Sequence, residues 1–257
     1  MSPLVGPVIA CVDGSAHTGG VCGAASWLAE RMEAGVELLH LEDDAPQTRR
    51  PGGSGPVADR DVRWAQVIDK AASDVVQAGA QLTEILTGRG AFLDAATRVS
   101  RRAGMLVVGR RGLSSPPYSL RLGAHVGAIL RSAECPVCLT PESVAPPRQA
   151  LVLLDANHAV EAMTEFLAGH PALDGLPCEV AAFGTTRRGL RPGLRPLAEH
   201  PHQALESFLR ERDCDVVVLP RAALLGDPRR REFEGLLSEL NVTALLPGRG
   251  RLRIPGF

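Results

Sequence analysis

The sequence predicts an α/β fold of two tandem doubly wound, Rossmann-like parallel-sheet units, the second one shortened. Three observations predict it. Apolar runs of strand length alternate with amphipathic segments of helix length, which is the pattern of a parallel sheet covered on both faces. The apolar run Met105–Val108 ends in Gly109-Arg110-Arg111-Gly112, a strand exit able to gather backbone N–H groups around a phosphate. The whole pattern restarts after Pro146-Pro147-Arg148.

In the first unit, Pro7–Val12 reads as a strand that stops at Asp13-Gly14-Ser15. Val21, Ala25, Leu28 and Met32 recur at helical spacing within Gly20–Glu33. Val36–Leu41 is a second strand. Asp43–Arg60, rich in Pro, Gly, Arg and Asp, reads as a surface loop. Val62–Ala78 is a helix with Ala65, Ile68, Ala72 and Val75 on one side, and Gln81–Leu86 is a strand. Ala91–Arg102 is a helix, Met105–Val108 a strand, Leu120–Arg131 a helix and Pro136–Thr140 a final strand. Ligands on such sheets sit outside the carboxyl ends of the strands, where Asp13, Leu41 and Gly109 all fall.

The second unit opens with Ala150–Asp155, which echoes the first strand and its Asp13. Ala159–Leu167 reads as a helix, Cys178–Phe183 as a strand, His202–Arg212 as a helix, Asp215–Leu219 as a strand and Glu232–Leu240 as a helix. Asn241–Pro247 aligns with Cys135–Pro141 over its full length. Most of the shortening lies between Phe183 and His202, with Leu194–Glu199 as the remnant of a third strand. Pro220-Arg221-Ala222-Ala223 replaces the glycine exit. Proline offers no N–H there, and alanine hinders close approach.

The chain has 257 residues, natural for two units, and 45% are hydrophobic, ample for two cores. A formal net charge of −1 gives no general attraction for nucleic acid or membrane. No apolar run approaches a membrane span, and Met1–Val5 has no signal-peptide architecture, so a cytoplasmic location is expected. The six cysteines sit in or beside apolar segments and read as buried small hydrophobes in a reducing compartment. Cys135-Pro136-Val137-Cys138 opens a strand, unlike redox or zinc pairs, which open helices or knuckles. His200 and His202 have no third metal ligand at a recognisable spacing. His17 and His125 read as solvated helix-start histidines at the mouth of the glycine loop, and His40 as packed beside the second strand. Arg229-Arg230-Arg231 reads as a solvated helix face.

Val8–Ser15, Gly109–Gly112, Gly123 and Val137–Thr140 together resemble the universal stress protein family. The resemblance implies a stress-response regulatory role and an adenine-nucleotide site, for ATP with Mg²⁺. By position, Asp13, Gly14 and Ser15 meet the ribose and base, and Leu41 meets adenine through its backbone. Gly109, Arg110, Arg111, Gly112, Gly123 and Ala124 surround the phosphates. Two departures stand out. Ten residues separate Gly112 from Gly123, one more than the family spacing, and Ala124 and Val126 replace hydroxyl residues. Ser114, Ser115, Arg110 and Arg111 offer substitute donors. Slow nucleotide hydrolysis and a ligand-free interaction scaffold are the alternative readings. The resemblance also implies that each unit's final strand lies at a sheet edge. Both are strongly apolar here, so pairing them within one chain, as an intramolecular pseudo-dimer, would cover both edges. Further association into a homodimer is left open.

Overall fold

The computed structural model describes residues 6–42, 57–113, 115–116, 121–155, 163, 166, 169–183, 195–196, 206–207, 209, 211, 213–225, 230–239 and 242–248. In chain order the elements are β1 (Val8–Cys11), α1 (Thr18–Arg31), β2 (Val36–Glu42), α2 (Val57–Gln77), β3 (Leu82–Arg89), α3 (Phe92–Ser100), β4 (Met105–Gly109), α4 (Ala124–Ser132) and β5 (Val137–Thr140). There follow β6 (Ala150–Asp155), β7 (Cys178–Phe183), β8 (Arg195–Pro196), β9 (Val216–Val218), α5 (Ala222–Leu225), α6 (Arg230–Glu239) and β10 (Thr243–Leu246). A 3-10 turn, Pro171–Leu173, precedes β7. Among the described residues no helix is long and apolar enough to cross a membrane.

All ten strands form one sheet in the order β3-β2-β1-β4-β5-β10-β9-β6-β7-β8. Every neighbouring pair is parallel except β5 and β10, which meet antiparallel through Leu139–Ala244, Cys138–Leu245 and Val137–Leu246. This is the contact expected of two apolar final strands. It makes the sheet mixed, and the order of strands reads alike outward from the seam on either side. β1, β5 and β10 are buried along their whole lengths because both sheet faces are covered. One core layer runs across the seam from Leu106, Val137 and Leu139 to Val217, Ala244 and Leu246. The opposite layer runs from Val107 and Cys138 to Val218 and Leu245.

Several boundaries differ from the sequence reading. α2 begins at Val57, inside the stretch read as loop, and α4 begins at Ala124 rather than Leu120. β3 extends to Arg89. Leu106 stands beside Val137 and Val217 beside Ala244, all on one face of the sheet. Thr243, which the sequence reading set against Val137, stands beside Val216 on the opposite face. Gly109 comes three residues after Leu106, and Pro220 three residues after Val217. Most of the segments read as helices at Ala159–Leu167 and His202–Arg212, together with His200, His202 and Ser114, lie outside the described residues.

Cys11, Cys22, Cys135, Cys138 and Cys214 are buried, while Cys178 is exposed. Burial pushes the Cys135 thiol up to about 12 and Cys138 higher still, which suits packing rather than thiolate chemistry.

Candidate functional site

The site is built where β1 and β4 end side by side, in register from Val8–Met105 to Ala10–Val107. Their exits diverge here, β1 toward α1 on one face and β4 toward α4 on the other. After β1 the chain turns at Asp13-Gly14-Ser15. Asp13 Oδ1 accepts the Ser15 N–H at 2.9 Å, closing a local turn. Gly14 has φ +74°, and a Cβ there would sit 2.8 Å from a Val67 methyl. Its N–H donates to Thr18 Oγ1 at 3.1 Å, and Ser15 Oγ accepts the His17 N–H at 3.3 Å.

After β4 the chain folds back onto that turn. Asp13 Oδ2 accepts the Leu113 N–H at 3.0 Å. A Cβ on Gly112 would stand 2.7 Å from the same oxygen, so only glycine allows the carboxylate this close. The Gly112 N–H donates to Ser115 Oγ at 3.2 Å, and the Ser115 N–H returns to Gly112 O at 2.9 Å. The Gly123 N–H donates to Arg110 O at 2.7 Å, which brings the start of α4 against the loop. Gly123 is the N-cap of that helix, so its first-turn amides open toward the glycine exit.

Asp13, Gly14, Ser15, Gly109, Gly112, Gly123 and Ala124 therefore gather at one edge of the sheet. Leu41 shares that edge through β2, which pairs with β1 up to Cys11–Leu39. The two arginines part company. Arg110 is only 5% exposed, and burial, with Arg111 adding repulsion, lowers its guanidinium to about 10. It is buried, whereas the sequence reading placed both arginines alike in the loop as substitute donors. Arg111 keeps more access to solvent and lies 3.7 Å from Glu142. Of the two replaced hydroxyl positions, Val126 is buried in the core and Ala124 is exposed.

His17 is not solvated: it is 5% exposed beneath Gly109, where an added Cβ would come 2.6 Å from His17 Cβ. Its Nδ1 lies 3.1 Å from Thr140 O, so this nitrogen carries the proton. Burial lowers the ring's pKa and keeps it neutral, which leaves Nε2 as a buried acceptor with no hydrogen-bond partner among the described residues. His40 packs as expected beside the second strand: Nδ1 is 2.8 Å from Val12 O, and the ring lies 4.7 Å from Trp64. His125 is exposed and meets Phe92 edge-on at 6.1 Å. Neither the support from Thr140 nor that from Trp64 is visible in the sequence, because each depends on a partner far along the chain. Among the described residues no three His, Cys, Asp or Glu side chains gather as a metal site.

The pattern of the universal stress protein family matches residues 5–141 of this chain. The chain belongs to that family. It is similar to the universal stress protein Slr1230 of Synechocystis sp., with 22% identity over 203 residues, 70% of this chain and 71% of that protein. The fold matches the crystal structure of a universal stress protein from Archaeoglobus fulgidus, with TM-score 0.67 and 11% identity over 95% of this chain and 97% of that one. It also matches a protein of unknown function, PA1789 from Pseudomonas aeruginosa, with TM-score 0.60 and 13% identity over 95% and 92% of the two chains. At these identities the likeness establishes the universal stress protein fold across nearly the whole chain.

Proposed function

We propose that this universal stress protein binds one adenine nucleotide, ATP or a close relative, in its first half and serves as a cytoplasmic regulatory module rather than an enzyme. On this reading the chain is a tandem of two family units, residues 1–145 and 146–257. The second unit is degenerate and is kept as the partner of the first unit's final strand.

The observation that carries the nucleotide reading is the convergence of Asp13, Gly112 and the start of α4 at one strand-end cleft. Glycine stands where a Cβ would strike Asp13, and again where one would strike His17. The helix start adds amides and a positive dipole end, both suited to a phosphate. Arg111 and Ser115 border the same loop. Leu41, at the end of β2, fits the adenine end. Mg²⁺ would arrive with the triphosphate, since Asp13 is already committed to two amides. In the second half Pro220 removes an N–H at the matching exit, and Arg221 is occupied by backbone carbonyls. Those features support a single site per chain.

Calorimetric titration with ATP tests the reading. It expects one site per chain, and a Gly112→Val variant that keeps its fold but binds at least about a hundredfold more weakly, as loss of two charged hydrogen bonds implies. Two equivalent sites, or unchanged affinity in Gly112→Val, would overturn it. Mass spectrometry of denatured, freshly purified protein identifies any nucleotide carried through purification.

A further inference from the structure

We propose that Arg221, in the second half, is a positioning residue for the nucleotide site, because it pins the far end of the helix whose first turn closes the glycine loop. The proposal rests on the nucleotide reading above. Arg221 is only 9% exposed, and its guanidinium spans the seam between the halves. Nη1 donates to Leu130 O at 3.0 Å and to Ala133 O at 2.7 Å. Nη2 donates to Cys135 O, and Nε donates to Pro247 O at 2.7 Å. Leu130 belongs to the last turn of α4 and Ala133 is its C-cap.

A helix leaves its last carbonyls without intrahelical partners, and its C-terminal end carries partial negative charge. A planar, permanently charged fork satisfies both needs at once. The end of α4 is also tied within its own half, by the Thr97–Ser132 hydroxyl pair at 2.9 Å and by the Glu134 N–H on Ser100 Oγ at 3.1 Å. Arg221 adds a tie from the other half. α5 packs on α4, and Gly248 lies so close to Glu134 O that a Cβ would approach within 2.7 Å. α4 has nine residues, so its two ends are only about 13 Å apart. A shift or fraying at Ala133 is felt at Gly123 and Ala124, where the loop closes. The second half thus fixes the phosphate end of a site to which it contributes no ligand group.

The test uses the full chain with Arg221→Met, which keeps the side-chain length and removes the donors, and Arg221→Lys, which keeps the charge and one contact. Hydrogen exchange without nucleotide should quicken about tenfold or more through α4 in the Met variant, less in the Lys variant, and not in α3. ATP affinity should fall about tenfold with Met and partly recover with Lys. A destabilising control, Leu237→Ala in α6, should leave ATP affinity within about twofold. Equal quickening in α3 and α4, or unchanged exchange in α4, would overturn the positioning role. Affinity loss matched by Leu237→Ala would do the same. A wild-type chain that binds no ATP would instead overturn the nucleotide reading, and with it the positioning role at that site. The exchange pattern alone would then decide whether Arg221 pins α4.

Discussion

At Gly112 a missing methyl group decides how two loops meet. Asp13 Oδ2 occupies the space that any Cβ at this position would need, and it also holds the Leu113 amide. Gly112→Ala should therefore push the carboxylate away, release Leu113 and weaken ATP binding about tenfold or more, as calorimetry would detect. Both glycines of the exit were legible in the sequence, but their immediate reasons were not. Those reasons are Asp13, about a hundred positions earlier, and His17 beneath Gly109. The same holds for Arg110, where sequence adjacency to Arg111 says nothing about which side chain turns inward. A second residue sets a pH response. His170 caps the 3-10 turn, with its Nδ1 accepting the Ala172 N–H at 3.2 Å and its ring 4.6 Å from Phe166. Burial lowers its pKa to about 4 from the usual 6.5. The unfolded chain therefore takes up this proton first as pH falls. The native state loses stability below pH 6.5, by about 3 kcal/mol at the limit near pH 4. His17 is shifted in the same direction. Urea midpoints measured from pH 7 to pH 5 should fall, and more shallowly in His170→Asn, whose side chain can still accept from Ala172.

Among the elements, α4 matters most to the site, and its boundary was the one misread with the greatest effect. Apolar residues at Leu120 and Leu122 extend the helical pattern upstream, but Gly123 is the N-cap and the helix starts one residue later. That shift brings the first turn to the glycine exit, where Ala124 is exposed. Ala124→Ser should add a hydroxyl without disturbing packing and tighten ATP binding about fivefold by titration. α2 was missed at its start because charged and small residues surround Val57, and composition alone favours a loop. β3 was cut short for a different reason. It is an edge strand with mostly exposed side chains, held through its backbone to β2 from Leu82 to Arg89. Hydrophobic periodicity carries little signal where only Leu82 and Leu86 are partly covered by the core. The strands buried on both faces, β1, β4 and β5, were by contrast read almost to the residue.

For the molecule as a whole, the antiparallel meeting of β5 and β10 was anticipated from the restart after Pro146, the two apolar final strands and the family resemblance, which put those strands at sheet edges. The sequence alignment of the final segments set Val137 against Thr243, residues of opposite sheet faces, because an ungapped match of apolar runs carries no information about which face each residue takes. Truncation after residue 145 should expose β5 along its length. The fragment should then dimerise or precipitate in sedimentation analysis, and a soluble, strictly monomeric fragment would count against a protective seam. Arg31 adds a second bridge between the halves, with Nε donating to Ala172 O at 2.8 Å and Nη2 donating to Asp174 O. Both sides of the β5–β10 seam are encoded in one polypeptide, so closing it involves no second molecule. Its equilibrium carries no concentration term: dilution does not open it, and exchange of one half with another copy requires this seam to open first. The site in the first half therefore keeps the same neighbour from synthesis onward, however scarce or abundant the protein is in the cell.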